Sequence, residues 1–172
     1  VSSFTLKDGG DIRAIFLGEG LAGRIDIQNS GAFEVIGSAT DKAEITTAAR
    51  DERSDTVGDL EFSGSSILLD HALISASSAS NQAGDGSSIV LSSSGDFTLR
   101  DSELLGSTSG AVSGGSISLS ALNTEVDVLR TDISSSSSST AESAGSAGRI
   151  EIDGKGVRIE YSTLNVQTAS NN

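Results

Sequence analysis

The chain has 172 residues, no Cys, Pro, Met or Trp, 3% aromatic residues and a formal net charge of −13. Without thiols there is no disulfide framework, thiolate metal site or cysteine nucleophile, and the acidic balance disfavours nucleic acid and anionic membrane surfaces as partners. The apolar set is mostly Ile, Leu, Val and Ala, which implies a thin core; the Ser/Gly-rich composition would suit a disordered chain were it not for a regular scatter of apolar-x-apolar triplets.

Those triplets are best taken in chain order. Phe4-Thr5-Leu6 and the stretch from Ile12 to Leu17 read as the tail of a partial coil over residues 1–22. A phrase that recurs then appears, a Gly followed by two apolar residues spaced by two: Gly23-Arg24-Ile25-Asp26-Ile27. Such period-two alternation marks a short strand with one buried face. A second phrase follows at Phe33-Glu34-Val35, and a third, Ala43-Glu44-Ile45, lies ten residues beyond Val35, so this copy carries an insertion. The second copy runs Gly58-Asp59-Leu60-Glu61-Phe62, Ile67-Leu68-Leu69 and Leu73-Ile74. The third has Ser88-Ile89-Val90-Leu91, Phe97-Thr98-Leu99 and Leu104-Leu105. The fourth has Gly115-Ser116-Ile117-Ser118-Leu119, Val126-Asp127-Val128 and Ile133. The fifth has Gly148-Arg149-Ile150-Glu151-Ile152, Val157-Arg158-Ile159 and Leu164-Asn165-Val166. The steps from Leu69 to Ile74, Leu99 to Leu104, Val128 to Ile133 and Ile159 to Leu164 are all five residues, as a fixed turn between two strands would produce.

Three short strands per copy, with turns between, describe one coil of an all-β fold, a right-handed parallel β-helix. The expected architecture is a solenoid of about five to six coils of three short strands, with coils starting near residues 23, 58, 87, 115 and 148. Residues 1–172 form one segment that reads as a fragment of a longer repetitive protein. A rung spacing of about 4.8 Å makes this a rod roughly 25–30 Å long. Length variation is expected at one corner, in the Ser-rich segments 75–86, 106–115 and 134–148. Solenoid insertions gather on one face, often the binding face, though flexible connectors would look the same. Open solenoid ends expose unpaired strand edges. No capping helix is legible, so the rod should continue into neighbouring domains or assemble end to end.

The order Gly-x-Ile-x-Ile, apolar-x-apolar, then Ile before a Ser/Thr-rich loop resembles the repetitive shafts of filamentous-haemagglutinin-like passengers of two-partner secretion systems. The fourth and fifth copies carry it best, and the resemblance covers about Gly23 to Val166. It implies an extracellular or bacterial cell-surface protein that serves adhesion, aggregation or filament formation. The implied partners are a cell-surface or matrix glycan or protein, or like subunits joined end to end.

Catalytic residues are not expected. The competing reading is a polysaccharide-active β-helix enzyme, a lyase or hydrolase, which would need carboxylates converging in one groove. The densest charged group is Asp51-Glu52-Arg53-Ser54-Asp55, a solvated patch whose Asp51, Glu52 and Asp55 are the candidates for a cation site. Asp70-His71 is the one His-containing pair, and His71 reads as structural or solvent-exposed. No cofactor is expected: there is no phosphate-binding loop, no zinc spacing and no calcium-binding nonapeptide repeat. No apolar run reaches the length of a membrane span, so no direct membrane insertion is expected.

Overall fold

A computed structural model of the chain describes residues 2–17, 23–49, 58–79, 86–109, 113–139 and 146–170. Every regular element among them is a β-strand, and every strand pairing is parallel. The strands stack as a β-solenoid of about five turns, each turn contributing a strand to each of three faces.

The first face stacks β3 (Ile25–Gln28), β6 (Leu60–Gly64), β9 (Ser88–Ser93) and the leading halves of β12 (Ser116–Leu129) and β14 (Arg149–Glu160). The second stacks β1 (Phe4–Lys7), β4 (Ala32–Ile36), β7 (Ser66–Asp70), β10 (Phe97–Arg100) and the trailing halves of β12 and β14. The third stacks β2 (Asp11–Phe16), β5 (Ala43–Ala49), β8 (Ala72–Ser78), β11 (Glu103–Ser109), β13 (Asp132–Ser139) and β15 (Thr163–Ser170). The strands before Gly23 belong to the second and third faces. In the last two turns the first and second strands fuse into one long strand, with a register shift between Ala121 and Glu125 in β12.

The phrases align rung on rung. Ile25, Leu60, Ile89, Ile117 and Ile150 form one rank. Phe4, Phe33, Ile67, Phe97, Val126 and Val157 form another. Ile12, Ile45, Ile74, Leu104, Ile133 and Leu164 form a third. Apart from the terminal coils these side chains are buried. Each branched residue withdrawn from water contributes roughly 1.5–3 kcal/mol, and identical stacking repeats that contribution along the rod. At the amino-terminal end the rings of Phe4, Phe33 and Phe62 stack at 5.0 Å and 4.8 Å, an aromatic column within the core.

The recurring Gly of the first phrase has a steric cause. Gly58, Gly115 and Gly148 sit where the chain passes from the third face to the first. A Cβ on Gly58 would meet the carbonyl oxygen of Gly23 at 2.5 Å, and one on Gly115 would collide with the carbonyl of Ser87. The coils therefore approach too closely there for a side chain in most turns, and the third turn accommodates Ser87, fully buried, in the equivalent place. Beside this corner the core turns polar. Thr47 and Ser135 are wholly buried; Thr47 Oγ1 donates to the Gly58 carbonyl at 3.1 Å and Ser135 Oγ to that of Gly115.

Length variation is not confined to one corner. The insertion in the first full copy folds as a small loop, with Ser38 and Asp41 hydrogen-bonded to each other through the backbone in both directions. Between the first and second faces the spacing also changes, from five residues (Phe62 to Ile67) to seven (Leu119 to Val126). Leu122, Asn123 and Thr124, which stand where β14 has Lys155 alone, bulge outward. Asn123 Nδ2 and Thr124 Oγ1 donate to the carbonyls of Ser94 and Gly95 one coil away, at 2.9 Å and 2.6 Å. The inward alternation on either side is kept because the bulge absorbs the surplus.

Candidate functional site

The constant step of five is a turn with one residue in the left-handed region. His71 (φ 50°), Asp101 (φ 50°), Arg130 (φ 46°) and Tyr161 (φ 52°) occupy it in successive coils, and Asp8 (φ 55°) begins the series. Asp and His tolerate this conformation; Arg and Tyr have no such preference. The following residue points into the corner and clamps the turn. Ser102 Oγ accepts from the Ala72 amide at 3.0 Å and donates to the Arg100 carbonyl at 2.7 Å. Ser162 Oγ repeats this two coils on, accepting from the Thr131 amide at 3.0 Å and donating to the Glu160 carbonyl at 2.8 Å. Each clamp joins two coils, so the turn geometry propagates from one rung to the next.

The outward side chains of this corner form the densest charge cluster among the described residues. Asp70 Oδ1 contacts His71 Nδ1 at 2.8 Å, and Asp70 Oδ2 accepts from Arg100 Nη2 at 2.6 Å. Asp101 receives Arg130 through both oxygens, at 2.7 Å and 2.8 Å, the bidentate geometry that makes Arg–carboxylate pairs directional. Burial, the largest single influence, pushes the Asp70 carboxyl up. The Arg100 and His71 hydrogen bonds and their charges together outweigh it and hold the carboxyl below the usual carboxylate range. Asp101 is also lowered, chiefly by the Arg130 hydrogen bond, and both guanidinium groups are raised in return.

Asp70, His71 and Asp101 each offer a ligand atom within 4.8 Å of the others. Arg100 and Arg130 already engage both carboxylates, so a cation would have to displace two guanidinium groups. The cluster is an ion-paired clamp between coils. Elsewhere the same device recurs: Arg13 with Glu44 at 3.1 Å, Arg158 with Asp127 at 2.7 Å, Arg24 with Glu61, and Lys42 with Glu103 at 2.6 Å, the last spanning two coils from the inserted loop.

Two further recesses lie among the described residues. A recess of about 420 Å³ at the first-to-second corner is lined by Asn29, Gly64, Leu122 and Ser hydroxyls, with no titratable group. A depression of about 350 Å³ on the third face holds Glu103 and Asp132, which are register partners on β11 and β13. Alongside it the outward positions of β8, β11 and β13 carry Ser75, Ser77, Ser107, Ser134 and Ser136, an uncharged hydroxyl surface on a strongly acidic chain.

The cation candidates Asp51, Glu52 and Asp55 lie outside the described residues. His71, expected to be structural or solvent-exposed, is a partly buried member of the clamp. Arg100, Asp101 and Arg130 were not singled out from the sequence. Their signal is opposite charge at about one coil's separation: Asp70 to Arg100, Asp101 to Arg130 and Asp127 to Arg158 are 30, 29 and 31 residues apart. Comparisons with protein-family models, with curated proteins and with solved structures returned no match.

Proposed function

We propose that this chain is a structural and adhesive rod, the β-helical shaft of an exported surface protein, and not an enzyme. The observation that supports it most is the use made of the carboxylates. Asp70, Asp101, Asp127, Glu44, Glu61 and Glu103 are each bound to an Arg or Lys of another coil. They reinforce stacking along the rod, whereas acid–base chemistry requires carboxylates converging on one substrate. Individual surface pairs contribute little, but a series that repeats at every rung acts as a network. The filamentous-haemagglutinin-like resemblance fits this reading. On this reading the rod stands outside the cell or on a bacterial surface and binds a cell-surface or matrix glycan or protein, or like subunits.

A polysaccharide-active enzyme is the second reading, and the Glu103–Asp132 depression is what favours it. Adjacent rungs hold Cβ atoms about 5 Å apart, near the carboxyl separation of retaining glycosidases, about 5–5.5 Å. The Lys42 ammonium already bound to Glu103 speaks against it. The deciding experiment is a turnover screen on acidic and neutral polysaccharides, run beside a binding screen on the same glycans. The rod reading expects binding without turnover. Turnover that disappears in Asp132→Asn or Glu103→Gln overturns it.

A further inference from the structure

Asp132 stands outside the ion-paired series. Asp70, Asp101, Asp127 and Glu103 each hold an Arg or Lys of another coil. Asp132 is exposed and has no ion-pair partner among the described residues. Lys42, the nearest cation to this part of the third face by register, comes from the loop two coils before Glu103 and is already bound to it.

Asp132 also borders the depression of about 350 Å³ on the third face. The register explains the hollow. Leu105, Ser134 and Asn165 are successive outward residues of one rank, on β11, β13 and β15. Leu105 and Asn165 stand two rungs apart, about 10 Å, and the short Ser134 between them leaves the space. Glu103, Asp132 and Thr163 form the adjoining rank along one side of it. The hollow is centred on β13, which is paired on both edges, so it belongs to the side of the rod. Its lining is chemically mixed. Leu105 offers an apolar surface, Ser134 and Thr163 offer hydroxyls, Asn165 an amide that both donates and accepts, and Asp132 an unpaired negative charge. Apolar wall with a few placed polar groups is the usual make-up of a small-molecule recess.

We infer that this depression is a subsite for a sugar carrying a free ammonium group, one unit of an amine-bearing glycan. The inference rests on the rod reading and narrows its glycan partner. Asp132 takes the ammonium, the hydroxyls and the amide take the ring hydroxyls, and Leu105 takes the C–H face of the ring. Further units of the glycan continue over the neighbouring outward residues Ser75, Ser77, Ser107 and Ser136. Those hydroxyls bond a polyol without imposing a charge. An acidic glycan would meet Asp132 on a chain of net charge −13 and be repelled. A lysine-rich peptide would find the charge but little else. Extended peptides are held by strand addition at an open edge with pockets for alternate side chains, and the edges of β11 and β13 are both paired.

The test is binding of a (1→4)-linked glucosamine tetramer to the full chain, by isothermal titration calorimetry at physiological salt, where long-range attraction is screened. The N-acetylated tetramer and a tetralysine peptide run beside it. The amine tetramer should bind, and the other two should bind at least about tenfold more weakly. Asp132→Asn keeps the shape and removes the charge, and should weaken the amine tetramer by about tenfold. Asp153→Asn removes the same charge from an exposed position on the first face and should leave binding unchanged. Circular dichroism of both variants checks that the β fold is retained. Absence of binding overturns the proposal, as does equal affinity for the N-acetylated tetramer or for tetralysine. Equal losses in the two variants also overturn it, because the tetramer would then sense net charge alone. Mass spectrometry of the same mixtures reads the rod reading separately. Shortening of the tetramer overturns that reading and the binding subsite with it, whereas absence of binding without shortening removes the subsite alone.

Discussion

Leu73 and Ile74 are neighbours on β8 with opposite fates, and truncating each in turn tests the register on which the solenoid rests. Ile74 is fully buried, between Ile45 of the coil before and Leu104 of the coil after. Backbone ladders on both sides hold those rungs about 4.8 Å apart, so a cavity left by Ile74→Ala cannot close by drawing the coils together. The cost should fall in the upper part of the range for large-to-small core changes, about 3–5 kcal/mol. Leu73 points outward beside Glu44 and Glu103 and keeps part of its surface in water, so Leu73→Ala should cost under about 1 kcal/mol. Urea unfolding followed by far-UV circular dichroism separates them: with slopes of about 1–3 kcal/mol/M, Ile74→Ala should lower the midpoint by more than about 1 M. Equal losses, or a larger loss for Leu73→Ala, would refute the register, because a one-residue slip exchanges the two faces of a strand.

Other outcomes follow from the corners. Tyr161 is 87% exposed with φ at 52°; Tyr161→Gly relieves a left-handed residue and should stabilise by about 0.5–1 kcal/mol, read as a higher melting temperature. Gly115→Ala drives a methyl group into the Ser87 carbonyl and should destabilise by about 1–3 kcal/mol, seen as a lower urea midpoint with an unchanged slope. The Asp70 and Asp101 carboxyls are lowered in the folded state. The unfolded chain therefore binds protons first, and their contribution is fully present above the ordinary Asp pKa of about 3.9 and fades as pH falls through the lower folded values. Urea midpoints measured downward from neutral pH should drop across that window, and the drop should be shallower in the Asp70→Asn, Asp101→Asn double variant; identical pH dependence would remove the clamp from the account.

The ranks were legible because each is a one-dimensional pattern. Inward Ile, Leu, Val and Phe recur at two-residue spacing within a strand and at roughly one coil between strands, and both periods can be counted along the chain. The five-residue step carried the turn without revealing its device, since Asp, His, Arg and Tyr in a left-handed conformation share no sequence mark. The bulge at Leu122–Thr124 was hidden as well: the alternation resumes on both sides of it, and only the rung below shows that residues are surplus.

Sequence alone therefore determined what depends on side-chain alternation: strands, their inward faces and a thin core without sulfur or many aromatic rings. Tertiary structure decided what depends on residues about 30 positions apart meeting in space. It turned the scattered acids into ion-paired clamps, since a pair such as Asp70 and Arg100 exists only once the coil length between them is fixed to the residue. It gave the recurring glycines a cause, the close passage of one coil's backbone over another's carbonyl.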